Sequence, residues 1–152
     1  MSRLEFFVPG VPQPGGSKRG FNNPKTGRVI ITDANPKAAS WKDTVSSYAL
    51  KVPMNREEFS RGPIQVVCTF VMPRPRSHYG TGKNAGKLKP NAPFYHTSKP
   101  DSTKLFRSTE DALTGVIWKD DAQVMSMLRK IYGEMPGAYI TIYPLEDPPC
   151  AN

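Results

Sequence analysis

The sequence predicts a single α+β domain, in which a mixed or antiparallel β-sheet packs with two main helices. Its 152 residues are typical of one domain that buries about 68–70% of its unfolded surface. Stretches that alternate apolar and polar residues predict strands, and two stretches with apolar residues every three to four positions predict the helices. We expect the domain to cover residues 1–146, with residues 147–152 as a disordered tail.

The N-terminal third is predicted to contain a strand, a hairpin and a helix. Residues 3–8 alternate as a strand does, and the Pro- and Gly-rich residues 8–20 indicate a loop. Gly27 can turn residues 21–25 back onto residues 28–32 as a hairpin. Asn35 and Pro36 are typical of a helix start. The apolar face of that helix is predicted to be core, and it comprises Ala38, Trp41, Val45, Tyr48, Ala49 and Val52.

The rest of the chain alternates strands with one long basic segment. Residues 63–72 are apolar on both sides and predict a central strand. Residues 73–99 carry Pro, Gly and interleaved aromatic rings, and we expect them to be a flexible DNA-binding loop. A flexible surface loop without that role is the alternative. Residues 122–131 and 138–145 predict two closing strands.

Residues 98–125 carry the strongest chemical pattern. Asp101 follows Pro100, and it is a good N-cap for a helix whose apolar stripe packs inward. The stripe comprises Leu105, Thr109, Ala112, Leu113 and Val116, and the opposite side, expected to face solvent, comprises Lys104, Arg107, Ser108 and Asp111. Asp120 and Asp121 then form a turn. Adjacent carboxylates repel one another unless they are solvated or share a cation.

Charge is distributed unevenly along the chain. The formal net charge is +8, which favours a polyanionic partner. Residues 74–107 hold eight Lys or Arg against one acid, whereas residues 108–152 hold three bases against seven acids. A basic surface leading to an acidic pocket is what a metal-dependent nuclease needs. The residues expected to bind nucleic acid are Lys18, Arg19, Lys25, Arg74, Arg76, Lys83, Lys87, Lys89, Lys99, Lys104 and Arg107.

The same residues suggest a mechanism for phosphodiester cleavage. Asp101 and Asp121, with Asp120 as a third ligand, can hold Mg²⁺, for which Mn²⁺ could substitute. Lys104 and Arg107 would grip the scissile phosphate, so that these five residues form the predicted catalytic set. The alternative makes Asp101 only a helix cap and the acidic pair only a polar turn. In the hairpin, Phe21 offers a ring for stacking on a nucleobase, and a solvated hairpin with one tucked aromatic ring is the alternative. Phosphate contacts by the Lys and Arg residues of the hairpin are favoured over contacts to nucleobases.

Several other functions are disfavoured. The segment GTGKN lacks the glycine and hydroxyl positions of a phosphate-binding loop, because Ser77 and Asn84 occupy them, so no nucleotide cofactor is expected. His78 and His96 have no cysteine partners at zinc-site spacing, and we expect both to lie on the solvated surface. No apolar run approaches the length of a membrane span, so we expect no membrane partner.

At residues 100–124 the chain resembles the RusA family of Holliday junction resolvases. That family carries a PDxDNLxKxxxDAL helix followed by a W-x-DDAQV turn. The matching residues are Pro100, Asp101, Leu105, Asp111, Ala112, Leu113, Trp118, Asp120, Asp121, Ala122, Gln123 and Val124. The resemblance implies a RusA-like fold and a homodimeric, Mg²⁺-dependent endonuclease that nicks four-way DNA junctions in recombination and repair. It also implies the cytoplasm of a bacterial or phage-infected cell.

Three positions depart from the family pattern. Thr103 replaces the second aspartate, Lys104 replaces the asparagine, and Arg107 replaces the catalytic lysine. Glu110 lies about 10 Å further along the helix than Thr103 and is not expected to replace the lost carboxylate. Arg107 keeps the positive charge but cannot exchange a proton at ordinary pH, so Lys104 is the better candidate for proton transfer. Two alternatives stay open: a catalytically lapsed DNA-binding protein of the same fold, and a general nucleic-acid-binding module.

Overall fold

A computed structural model describes residues 2–16, 18–33 and 35–150, without the side chains of Lys18, Thr32 and Asp33. Within these ranges the chain forms an α+β domain with a mixed sheet, which confirms the predicted class. The elements are β1 (Leu4–Pro9), β2 (Lys18–Asn22), β3 (Val29–Asp33), α1 (Ala38–Leu50), α2 (Arg56–Ser60), β4 (Ile64–Met72), α3 (Ser102–Leu113), β5 (Val124–Tyr132) and β6 (Gly137–Pro144). None of the described helices is long and apolar enough to cross a membrane.

Four strands form the main sheet in the order β1-β6-β4-β5. Strands β1 and β4 pair antiparallel with β6, and β4 pairs parallel with β5. Strand β4 therefore has a partner on each edge, which confirms its prediction as a central strand. Strands β2 and β3 form a separate two-stranded sheet.

Helices α1 and α3 pack against each other and against one face of the main sheet. Every second residue of β4, from Ile64 to Phe70, is fully buried under them. Trp41 is 3% exposed, and its indole N–H donates to Thr109 Oγ1 at 3.1 Å. The prediction that Trp41 is core is confirmed. These contacts fix the position of α3, the helix that carries the motif residues.

The opposite face of the sheet is open to solvent and partly apolar. Met127 is 58% exposed and Tyr139 is 55% exposed. The rings of Phe7 and Tyr139 lie 4.6 Å apart across the β1–β6 pair. The two faces thus differ: the helices cover one, and exposed apolar side chains occupy the other.

Local hydrogen bonds shift several boundaries from their predicted positions. Strand β2 begins at Lys18, inside the predicted loop 8–20, and β3 extends to Asp33. Helix α1 begins at Ala38 because Asn35 first closes a turn, in which its Oδ1 accepts from Lys37 N at 3.1 Å. The short helix α2 was not predicted, although Asn55 caps it by accepting from Glu57 N at 3.2 Å.

Candidate active site

Asp101 occupies the N-cap position of α3, but its side chain makes no capping hydrogen bond. The backbone carbonyl of Asp101 accepts from Lys104 N and Leu105 N, each at 3.1 Å. The expectation that its carboxylate caps the helix is therefore wrong. The exposed carboxylate of Asp101 stays available for another interaction.

Lys130 of β5 fixes the chain just before α3. Its ammonium donates to the carbonyls of Ser98 and Pro100, each at 2.6 Å. Partial burial lowers the pKa of Lys130, and the negative charge of nearby Asp101 opposes that shift. Lys130 was not predicted from the sequence, although a lysine between the inward-facing positions of Leu128 and Tyr132 indicates a specific partner.

The outer side of α3 differs from its prediction at one position. Lys104, Arg107 and Asp111 are exposed as expected, but Ser108 is fully buried. Its hydroxyl donates to the carbonyls of Leu105 and Gln13, so the N-terminal segment lies against this part of the helix. Periodicity could not show this, because the covering residues come from a distant part of the chain.

Two glycines bring that N-terminal segment against the basic residues of α3. The N–H of Gly15 donates to the carbonyl of Lys104 at 3.0 Å. Gly16 has a φ of +88°, and a Cβ added to it would contact Arg107 Cδ and lie 2.7 Å from Nη1. Only a residue without a side chain leaves Arg107 its observed position.

The two aspartates in the turn between α3 and β5 differ in their side-chain hydrogen bonds. Asp120 Oδ1 accepts from Ala122 N at 2.9 Å, and Gln123 Oε1 accepts from Asp120 N at 2.9 Å, which is a capping box. Gln123 Nε2 also donates to the carbonyl of Gly62 at 2.8 Å. In the described part of the chain, the Asp121 side chain has no hydrogen-bond partner, and it is exposed.

Glu110 and Asp121 lie within electrostatic reach of each other. Partial burial raises the pKa of Glu110, the charges of Asp121 and Asp111 raise it further, and Arg107 lowers it. Glu110 was not predicted to replace the lost carboxylate, because it is far from Thr103 along the helix. Its spacing from Arg107 was nevertheless a signal, since residues three apart share one side of a helix.

The donor atoms suit a hard divalent cation, although they are not assembled as a ready-made centre. Asp101 and Asp121 offer uncommitted carboxylates, and the repulsion between Asp121 and Glu110 would be relieved by a cation. Asp101 lies about 13.5 Å from Glu110 along the helix axis. Among the described residues, no group of three or more His, Cys, Asp or Glu is placed to hold a metal. The metal role of Asp101, Asp120 and Asp121 stays a prediction.

Most of the Lys and Arg residues predicted to contact DNA have exposed side chains. Arg74 is the exception, because it donates to the Pro93 carbonyl at 2.7 Å and lies over the Tyr132 ring at 5.3 Å. The side chain of Lys18 lies outside the described residues. The exposed bases are Arg19, Lys25, Arg76, Lys83, Lys87, Lys89, Lys99, Lys104 and Arg107.

Residues 73–99 are attached to β5 at both ends. Near the start, the His78 ring meets the Tyr132 ring edge-on at 4.7 Å. Near the end, His96 N donates to the Lys130 carbonyl and Tyr132 N donates to the Phe94 carbonyl. His96 is 9% exposed, so its prediction as solvated surface is wrong. The proposed flexibility and DNA binding of this segment stay predictions.

Comparison with known proteins gives two matches. The model of a family described as "Endodeoxyribonuclease RusA" matches residues 9–143. The chain is also similar to "Uncharacterized protein YqaN" of Bacillus subtilis (strain 168), with 30% identity over 144 residues. That alignment covers 93% of this chain and 96% of the relative. Both matches include the whole segment from Pro100 to Val124.

Proposed function

The chain belongs to the RusA endodeoxyribonuclease family, and on that premise we propose that it is a Mg²⁺-dependent endonuclease that nicks four-way DNA junctions. Family membership supports an endonuclease that resolves Holliday junctions. The observation that carries the finer proposal is the exposed, uncommitted Asp121, whose charge acts on Glu110 beside Arg107. Asp120, by contrast, is committed to the capping box of the turn, so this proposal leaves it out of the metal ligands.

Asp101 and Asp121 would hold the metal, which supplies charge neutralisation at the phosphate and an activated water. Arg107 would bind the scissile phosphate through two parallel hydrogen bonds, because its guanidinium matches the geometry of phosphate oxygens. Lys104 would move a proton, because an ammonium can lose one where a guanidinium cannot. Lys130 would position Asp101 by fixing the carbonyls of the chain just before it.

A catalytically lapsed DNA-binding protein is the second candidate. It is favoured by Thr103, which lies exposed on α3 where the family pattern has an aspartate. A hydroxyl is a weaker ligand than a carboxylate for a hard cation. Loss of that ligand could leave DNA binding intact while cleavage is lost.

We also propose that the protein works as a homodimer, in the cytoplasm where DNA is found. A four-way junction has approximate two-fold symmetry, so paired nicks call for two equivalent sites. The open face of the sheet supports a second copy there, because Met127 and Tyr139 leave apolar surface in water. Sedimentation should show a dimer for the parent chain and a monomer for Tyr139→Glu; a monomeric parent would contradict the dimer.

Cleavage of a synthetic four-way junction tests the proposal. The parent chain and Asp101→Asn are incubated with the junction and with a linear duplex of matched sequence, in Mg²⁺ for cleavage and in Ca²⁺ for binding. We expect paired nicks by the parent on the junction alone, and binding without nicking by Asp101→Asn. Binding without nicking by the parent, in Mg²⁺ and in Mn²⁺, would leave the lapsed DNA-binding protein as the answer.

A further inference from the structure

Strands β2 and β3 form a two-stranded ribbon, residues 18–33, with apolar side chains on both faces. Phe21 pairs with Ile30 across the ribbon, so their side chains lie on one face. Phe21 is 46% exposed and Ile30 is 38% exposed. On the other face, Val29 is 64% exposed and Ile31 is 69% exposed. An isolated two-stranded ribbon is marginally stable in water, so this apolar surface indicates a partner.

The ribbon leaves the domain beside the candidate active site. Gly15 is hydrogen-bonded to the carbonyl of Lys104, and Gly16 lies against Arg107. Strand β2 begins two residues after Gly16. A ligand of Arg107 would therefore lie close to the residues where the ribbon begins.

Charge decides which partner fits. Arg19, Lys25 and Arg28 are exposed on the ribbon. Residues 18–33 carry four bases against one acid. The ribbon of a second copy carries the same charges and would be repelled by this one, whereas a nucleic acid would be attracted.

Resting on the junction-cleaving function proposed above, we propose that the Phe21–Ile30 face docks on the base pairs at the branch point of the junction. In linear duplex, stacking covers both faces of every internal base pair. At an open branch point, the terminal pair of each arm can lose one stacking neighbour and present a flat apolar face. A ring with an aliphatic neighbour covers such a face, as apolar wedges do in other DNA complexes.

Arg19, Lys25 and Arg28 would then contact the phosphates on either side of the branch point. This arrangement explains a preference for branched DNA by a feature that branched DNA has and linear duplex lacks. Phosphates are present in any duplex, so phosphate contacts alone give little selectivity. Uncovered base faces occur at branch points, so contact with them gives the preference for a junction.

The ribbon's role is tested with the full-length chain in Ca²⁺, which permits binding without requiring cleavage. Affinity is measured for a four-way junction carrying 2-aminopurine at the branch point and for a linear duplex of matched sequence. We expect Phe21→Ala to bind the junction about tenfold more weakly, the effect of losing one ring–base stack. Its affinity for duplex should change less than twofold, and the fluorescence change at the branch point should shrink.

Three further variants separate stacking from other roles of the ribbon. Phe21→Trp should restore junction affinity because it keeps a ring, whereas Phe21→Leu, which is apolar but not planar, should not. Val29→Thr, on the opposite face, should match the parent for both DNAs. The unfolding midpoint should stay unchanged in all four variants, since Phe21 and Val29 lie outside the buried core.

Two results would overturn the proposal. One is a Phe21→Ala variant that keeps the parent's preference for the junction, or loses junction and duplex affinity equally. The other is a Phe21→Ala variant that sediments as a smaller species, which would assign the ribbon to a second copy of the chain. A parent chain with no preference for the junction would instead contradict the proposed function, and the ribbon's role would fall with it.

Discussion

At the scale of single residues, His96 is the described buried polar group whose hydrogen bonding is incomplete. Its Nδ1 has no partner among the described residues, and its ring lies 4.8 Å from the Tyr132 ring. Burial lowers the pKa of His96, and the positive charge of Lys130 lowers it further. The folded protein therefore favours the neutral imidazole, which couples stability to pH.

Stability should fall as the pH drops below about 6.5, the pKa of histidine in an unfolded chain. In that range the unfolded chain binds the proton and the folded one does not, so protonation favours unfolding. His96→Phe should make the free energy of unfolding less dependent on pH between pH 7 and 5. Urea unfolding at several pH values measures this, with pH 8 as the control because His96 is neutral there in both states. Equal dependence on pH in the parent and the variant would contradict this account.

The sequence predicted the surroundings correctly for residues whose position depends on their own helix. Trp41 was predicted to be core from its own helix, and Asp101 was correctly placed at a helix start. Ser108, Glu110 and Lys130 were missed or misread because their partners, Gln13, Asp121 and Ser98, lie on other elements. Periodicity shows which residues share a face of a helix. It does not show which residues of another segment contact that face.

At the scale of elements, the turn at Gly15 and Gly16 sets the position of a catalytic candidate on α3. Gly16→Ala should lower the rate of junction cleavage, because its Cβ would displace the Arg107 side chain. A double-mutant cycle measures the effect: adding Gly16→Ala to Arg107→Ala should cost little further activity, since the affected side chain is already gone.

Gly115→Ala is the matched control for backbone strain. Gly115, just after α3, has a φ of +85°, close to that of Gly16, but no atom lies within 4 Å of an added Cβ. Both substitutions strain the backbone by about 1–2 kcal/mol, and only Gly16→Ala moves Arg107. Equal loss of activity in both variants, or full additivity of Gly16→Ala with Arg107→Ala, would contradict a positioning role.

Element types were predicted better than element boundaries. Alternation identified β1 and β6, a continuous apolar run identified β4, and the 3.6-residue period identified α1 and α3. Strand β5 was also predicted. Strand β5 begins at Val124 rather than at residue 122, because the capping box of Asp120 and Gln123 keeps residues 121–123 in a tight turn. The sequence contained both capping residues, but the bond from Gln123 to the Gly62 carbonyl joins this turn to a distant part of the chain, which local sequence does not show.

At the scale of the whole molecule, we expect the exposed Lys and Arg residues of segment 73–99 to make DNA binding strongly dependent on salt. Each phosphate neutralised on duplex DNA contributes about −0.9 to the slope of log K against log salt concentration. Replacing Lys83, Lys87 and Lys89 with serine should therefore make that slope shallower by about 2.7. Junction affinity measured at several salt concentrations gives the slope.

A second triple variant controls for the change in net charge. Lys51, Arg56 and Arg61 are exposed bases outside the segment 73–99, and their replacement with serine removes the same charge. We expect that variant to keep a slope close to the parent's. If the two triple variants changed the slope equally, general attraction by the whole protein would explain binding, and residues 73–99 would have no special role.

The α+β class followed from the sequence, which left a mixed or an antiparallel sheet open, but the strand order did not follow from it. Strand β6 lies between β1 and β4, so residues more than one hundred positions apart pair across the sheet. Hydrophobic patterns show which face of a strand is buried and not which strand lies beside it. The open apolar face of the sheet could be recognised only once that order was known.

Cleavage by Asp120→Asn and Asp121→Asn tests the central claim most directly, because these residues are neighbours with the same chemistry and different surroundings. Asparagine caps a turn as well as aspartate does, so Asp120→Asn should keep most of the parent's junction nicking in Mg²⁺. Asp121→Asn should bind the junction and lose nicking by at least about 100-fold, or roughly 2.7 kcal/mol of transition-state stabilisation. Equal activity of the two variants would contradict the assignment of Asp121 to the active site.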